Sequence, residues 1–111
     1  RYEMFGNLGG MLNKVQELQK NVQNLKSEME NSTFIGSDSN GLVKVTMNGK
    51  MDPIEVFIDQ EFQKITSNEI LNKSILNAIQ DATTKVKNEY KKRLNELTGG
   101  IPLPPGLGLP F

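Results

Sequence analysis

The stretch Gly41–Gly49 reads GLVKVTMNG, and its alternation decides the fold. Val43, Val45 and Met47 fall on one side of an extended chain and Leu42, Lys44 and Thr46 on the other, the period of a strand with one buried face. The pair Asn48-Gly49 turns the chain. A second alternating run follows, with Ile54, Val56 and Ile58 on one face and Glu55, Phe57 and Asp59 on the other. Joined through Lys50–Pro53, the two runs predict a hairpin with a longer loop. Upstream, Phe34-Ile35 reads as a short strand and Gly36–Gly41 as a polar turn, which completes a three-stranded antiparallel meander.

Two long amphipathic segments flank this sheet. Leu8, Met11, Val15, Leu18, Val22, Leu25 and Met29 alternate in steps of three and four, an unbroken heptad seam on a helix otherwise rich in Gln, Asn, Lys and Glu. So narrow a stripe must lie against another helix, either the second helix of the same chain or a helix of another subunit. The second helix begins at Thr66-Ser67-Asn68-Glu69, where Thr66 and Glu69 have capping-box spacing and Ser67 is an equally good cap. Ile75, Ile79, Ala82, Val86, Tyr90, Leu94 and Leu97 mark its apolar stripe, and Gly99-Gly100 ends it. A helix of about 30 residues is roughly 45 Å long, more than a three-stranded sheet can cover. Its far end is expected to project or to pack on a second subunit. Residues 101–111, IPLPPGLGLPF, carry four prolines and read as an extended or disordered tail after a single domain spanning residues 1–100.

Composition narrows the chemistry. The 111 residues include neither cysteine nor histidine, which removes thiolate metal sites, the usual zinc ligands, the commonest general base and the familiar nucleophile arrangements. No enzymatic activity and no cofactor are expected. The acidic residues Asp52, Glu55, Asp59 and Glu61 lack the loop geometry of a cation site and read as a solvated hairpin edge. Without an apolar run near the ~20 residues that span a bilayer, the chain reads as soluble and cytoplasmic, with no membrane partner. Arg1 in place of a methionine reads as a trimmed end, which leaves open a targeting segment ahead of it.

Taken in order, these parts resemble the YbaB/EbfC family of small bacterial nucleoid-associated proteins. The likeness rests on the Gln- and Lys-rich first helix, on GLVKVTMNG, on the strand ending Val56-Phe57-Ile58-Asp59, and on the tail LPPGLGLPF. The resemblance implies an α+β homodimer whose sheets meet at the centre and whose helices project like tweezers. It also implies DNA binding without catalysis, association with the chromosome and a part in its organisation. Relatives in plant plastids leave an organellar source open.

The formal net charge is zero, yet the charge is unevenly spread. Residues 66–98 hold six basic against four acidic side chains, and Lys85–Arg93 holds five basic with only Glu89 opposing. Asp81 with Lys85, Glu89 with Arg93 and Lys92 with Glu96 stand at i,i+4 spacing, so part of this run reads as a salt-bridged, solvated face. Lys87 and Lys91 are i,i+4 to each other with no acid at that spacing. They are the first candidates for contacts to the phosphate backbone of double-stranded DNA, followed by Lys85, Lys92 and Arg93, with Lys14, Lys20 and Lys26 of the first helix behind them. The alternative is a protein-interaction or protein-sorting adaptor that holds a client through its helices or its Pro-rich tail. Tyr90 and Phe57 both read as packing residues rather than base-stacking platforms.

Overall fold

The chain runs α1 (Tyr2–Glu30), β1 (Thr33–Ser37), β2 (Val43–Asn48), β3 (Pro53–Ile58), α2 (Gln60–Ile65) and α3 (Asn68–Thr98). The computed structural model describes the backbone of residues 2–100 and the side chains from residue 9 onward. The α+β class and the antiparallel meander are as predicted, with strand order β1-β2-β3. Val45 faces Gly36 on one neighbour and Val56 on the other. Val43, Val45 and Met47 are buried, as their alternation requires, and each such side chain sealed from water contributes about 1.5–3 kcal/mol.

What covers that face is α3, which lies on the sheet through small residues. A Cβ placed on Gly36 would overlap the backbone of Ala78 and Ala82, so the helix rests directly on β1. This contact corrects the predicted stripe. Ala78 takes the buried position beside Ala82, Val86 and Tyr90, whereas Ile79 is rolled toward solvent because its bulk would hold the helix away from the strand. Tyr90 is sealed in the core as expected.

Gly49 has a similar part at the other end of β2. Its amide donates to the Met29 carbonyl at 2.9 Å, and a Cβ there would overlap the end of α1. Asn48-Gly49 thus opens the longer loop that the sequence predicts. The turn runs on to Asp52, with the Asn48 side chain accepting from the Lys50 and Asp52 amides, and its left-handed residue is Met51 (φ 66°). On the opposite hairpin, Asp38 is buried, and its carboxylate accepts from the Leu42 and Val43 amides while Gly41 supplies a positive φ of 71°.

Between β3 and α3 lies α2, a helix that the sequence reading lacks. The Asp59 carboxylate caps it by accepting from the Phe62 amide at 3.0 Å, and Phe62 turns toward the core. Thr66 is consequently the C-cap of α2 rather than the first cap of the next helix. Ser67 caps α3 by accepting from the Ile70 amide, and the predicted Thr66–Glu69 box does not form.

The heptad seam of α1 divides. Val22, Leu25 and Met29 are buried where the end of α1 runs antiparallel to the end of α3, with Arg93 against Glu28. Nearer the N-terminus, Met11 and Val15 are exposed. Because the two helices overlap only at their ends, the molecule is 75 Å long with a radius of gyration of 20.2 Å, against roughly 13 Å for a compact chain of 100 residues.

The predicted half-buried second run is not buried: Pro53 through Phe57 are all exposed. A helix about 10 Å across covers two strands spaced about 4.8 Å apart, and α3 spends that width on β1 and β2. Glycine substitutions separate close approach from helix propensity. Gly36→Ala is expected to lower the unfolding free energy by about 2–3 kcal/mol through overpacking. Gly10→Ala, on α1 with open space around it, should raise it by about 0.5–1 kcal/mol. Urea denaturation of the two single variants checks both signs.

Candidate nucleic-acid interface

On α3 the buried positions recur every fourth residue, and a step of one residue turns about 100° around the helix axis. Lys87 and Lys91 each follow a buried residue, Val86 and Tyr90, so they stand side by side on the outer flank, both exposed. The fold thus brings together the two lysines ranked first. Lys92 is exposed as well, and no ion pair joins it to Glu96.

Arg93 and Lys85 tie separate elements of the fold together. Arg93 pairs with Glu89 at 2.9 Å and reaches Glu28 of α1 at 3.9 Å, tying the two helices together. Lys85 pairs with Asp81 at 3.2 Å and donates to the Ile35 carbonyl at 2.8 Å. Asp81 in turn accepts from the Ser37 amide at 2.9 Å. Ile35 and Ser37 present these groups on the side of β1 away from β2, so one ion pair of α3 closes that edge of the sheet. The i,i+4 spacing identified the pair, but no local signal in the sequence discloses that its partners are backbone groups more than 40 residues away.

Lys14 and Lys20 are exposed and Lys26 is half-buried. They are six residues apart, so each is rotated about 240° from the last, and the three point to three sides of α1 rather than along one line. Beside Arg93, an open cleft of 370 Å³ is lined by Asn21, Asn24, Leu25, Glu28, Glu96 and Leu97. Two carboxylates against one guanidinium make it a poor seat for phosphate.

The far edge of the sheet is bare. On β3, Ile54 is 58%, Val56 55% and Phe57 50% exposed, so Phe57 is no packing residue within this chain. Of the acidic residues expected to form a solvated hairpin edge, Asp52 in the β2–β3 turn and Glu55 on β3 are exposed there, whereas Asp59 caps α2 and Glu61 lies on that helix. Among the described residues no group of three or more acidic side chains is placed to hold a metal ion, and no helix is long and apolar enough to cross a membrane. Of the two features on which the adaptor alternative rests, the helices and the Pro-rich tail, the tail lies outside the described residues.

The model of the YbaB/EbfC DNA-binding family matches residues 4–101. Two relatives called "Nucleoid-associated protein", from Synechococcus sp. strains JA-2-3B'a(2-13) and JA-3-3Ab, are 39% and 38% identical over 105 residues, which is 95% of this chain and 93% of each relative. The crystal structure of an uncharacterised protein from Helicobacter pylori shares the fold at a TM-score of 0.65, with 21% identity over 86% of this chain and 97% of that one.

The Ser37 amide, helped by the ammonium of Lys85, holds the Asp81 carboxyl below its ordinary value of 3.8. A lowered native value means that the folded state binds the proton less tightly than the unfolded chain. The stabilisation from Asp81 is therefore complete above about pH 3.8 and is lost as the pH falls through the lower native value. Asp81→Asn should accordingly unfold at lower urea concentration than the parent near neutral pH, with the difference narrowing from about pH 4 downward. Urea midpoints of the two proteins across that range test it.

Proposed function

Because the chain belongs to the YbaB/EbfC DNA-binding family, we propose that it is a nucleoid-associated protein that binds double-stranded DNA as a homodimer, largely without sequence preference. Its family is a DNA-binding rather than an enzymatic one, and the relatives from Synechococcus carry the same nucleoid-associated description. Contacts run to backbone phosphates through lysines on the projecting helices, in the cytoplasm, and serve to organise the chromosome. The observation that carries this reading is the exposed pair Lys87 and Lys91, held one turn apart on the outer flank of a helix whose opposite side is fixed to the sheet. Phosphate affinity comes from counterions released at each contact, so it depends on how many lysines reach the duplex and not on the net charge of the chain. Lys92, Lys14 and Lys20 extend the surface. Lys85, Arg93 and Lys26 contribute less, the first two because their charges also serve ion pairs inside the fold.

The bare edge supports the dimer. A strand with a free edge and exposed apolar side chains on both faces invites pairing with a second chain, and β3 is such a strand whereas β1 is closed by Asp81 and Lys85. Two copies joined through β3 place their helices on either side of the joined sheets, which is the tweezer arrangement expected from the family.

Fluorescence anisotropy with a short duplex at several salt concentrations tests the site. Lys87→Glu/Lys91→Glu should weaken binding at least tenfold at low salt and make the slope of log K against log salt shallower by about 2, with the dimer intact. Unchanged binding would remove this flank from the interface. Val56→Lys should shift the protein from dimer to monomer in light scattering after size exclusion; a dimer that persists would place the subunit contact elsewhere.

A further inference from the structure

Twelve asparagines are spread along the chain, and two of them, Asn40 and Asn48, are followed by glycine. An asparagine before glycine is chemically labile, because no side chain shields the next backbone nitrogen from the side-chain carbonyl carbon. The fold treats the two pairs differently. At Asn48 both ends of the side-chain amide are held: Oδ1 accepts from the Lys50 amide at 2.9 Å and the Asp52 amide at 3.1 Å, and Nδ2 faces the Asp52 carboxylate at 3.5 Å. The nitrogen that would attack it, that of Gly49, donates to the Met29 carbonyl at 2.9 Å, and Gly49 is pressed against the end of α1.

Asn40 stands exposed in the β1–β2 turn, and its side chain makes no hydrogen bond to any described residue. Gly41 has open space where a Cβ would stand and a φ of 71° that glycine adopts at little cost. Its amide donates to the Asp38 carbonyl at 3.1 Å, a bond within the turn itself rather than to a packed helix. The side-chain carbon of Asn40 and the nitrogen of Gly41 are therefore able to approach each other without disturbing the core.

We propose that Asn40 is a site of spontaneous deamidation in the folded protein, and that the fold suppresses the same chemistry at Asn48. The Gly41 nitrogen gives its proton to solvent base and bonds to Cγ of Asn40; the Cγ–Nδ2 bond breaks, and ammonia leaves with a proton from solvent. Water then opens the succinimide ring at either carbonyl, which yields aspartate or isoaspartate. In isoaspartate the main chain runs through Cγ, so the turn is lengthened by a methylene. That extra atom strains a turn in which Gly41 donates to the Asp38 carbonyl while Leu42 and Val43 donate to the buried Asp38 carboxylate. Along β1 the partners on α3 run backward, Lys85 at Ile35 and Asp81 at Ser37, so the turn lies toward the N-terminal half of α3, away from Lys87 and Lys91. Deamidation thus acts on stability rather than on the cationic flank.

Lys44 separates the two sites into different tryptic peptides, so mass spectrometry reads each alone. When the full chain is incubated in mildly alkaline buffer, Asn40 is expected to convert to aspartate and isoaspartate at least tenfold faster than Asn48. Several hydrogen bonds, each worth a factor of several, must break before Asn48 can cyclise. In concentrated urea, where both pairs lie in unfolded chain, the two should convert at about the same rate. Folded Asn48 keeping pace with Asn40, a folded Asn40 slowed against urea as strongly as Asn48, or a tenfold gap that persists in urea would each overturn the proposal. The deamidated fraction, resolved by anion exchange, should unfold at lower urea concentration than the parent; equal midpoints overturn the effect on stability.

Discussion

At Gly36 and Gly49 the helices meet the sheet with no room for a side chain between them. A methyl group at either position would occupy the space of another backbone, of α3 in one case and of α1 in the other. Because interiors pack at crystal-like density, such contacts have no continuous range of alternatives: either the helix is seated or it is displaced by an atom's width. Seating α3 on Gly36 sets its rotation, and its rotation determines which residues face the sheet. Ala78 and Ala82 come under the strand, Val86 and Tyr90 complete the core, and Ile79 is left at the side. Lys87 and Lys91 are on the outer flank for the same reason.

The same seating makes the two edges of the sheet unequal. With α3 close over β1, the carboxylate of Asp81 and the ammonium of Lys85 reach the outward Ser37 amide and Ile35 carbonyl, so two of the outward groups of β1 are already engaged and not open to another strand. The helix is not wide enough to protect β3 as well. Apolar side chains on that strand are left in water, a cost for an isolated protomer that a subunit contact removes. Core packing and assembly surface thus follow from one placement: lifting α3 by a side chain would loosen the core and unblock β1 together.

Much of this was legible in the sequence wherever a pattern is local. The alternation of Val43, Val45 and Met47 located the buried face, and the heptad steps from Met11 to Met29 located the seam of α1. Where distant partners decide, the residues are silent. Asn48-Gly49 has the composition of a tight turn, yet Gly49 is small because Met29 lies against it, and the left-handed position falls to Met51. Ile54, Val56 and Ile58 alternate as well as any buried strand, but alternation cannot tell whether the covering layer belongs to the same chain. Thr66 and Glu69 met the spacing of a capping box, and the short α2 ahead of them, with Asp59 as its cap, assigned Thr66 to a different helix. For the candidate interface, helical spacing placed Lys87 and Lys91 on one flank, and both are exposed there. It could not show that Lys85 serves a strand 50 residues away.

A formally neutral protein can still present a cationic surface if the fold disposes of its charges unequally. Here Lys85 and Arg93 are drawn into contacts that close the sheet and join the helices, while Lys87, Lys91 and Lys92 are exposed on the outer flank of α3. The carboxylates are distributed in the complementary way. Asp38, Asp59 and Asp81 accept from backbone amides at a turn, a helix start and a strand edge, so three negative charges are held within the scaffold. Since a polyanion responds to the cations within a Debye length of it, about 8 Å at physiological salt, the charge it meets on this flank differs from the sum over the chain. Three of the thirteen carboxylates thus serve the backbone as acceptors, while Lys87, Lys91 and Lys92 stand exposed on the outer flank of α3.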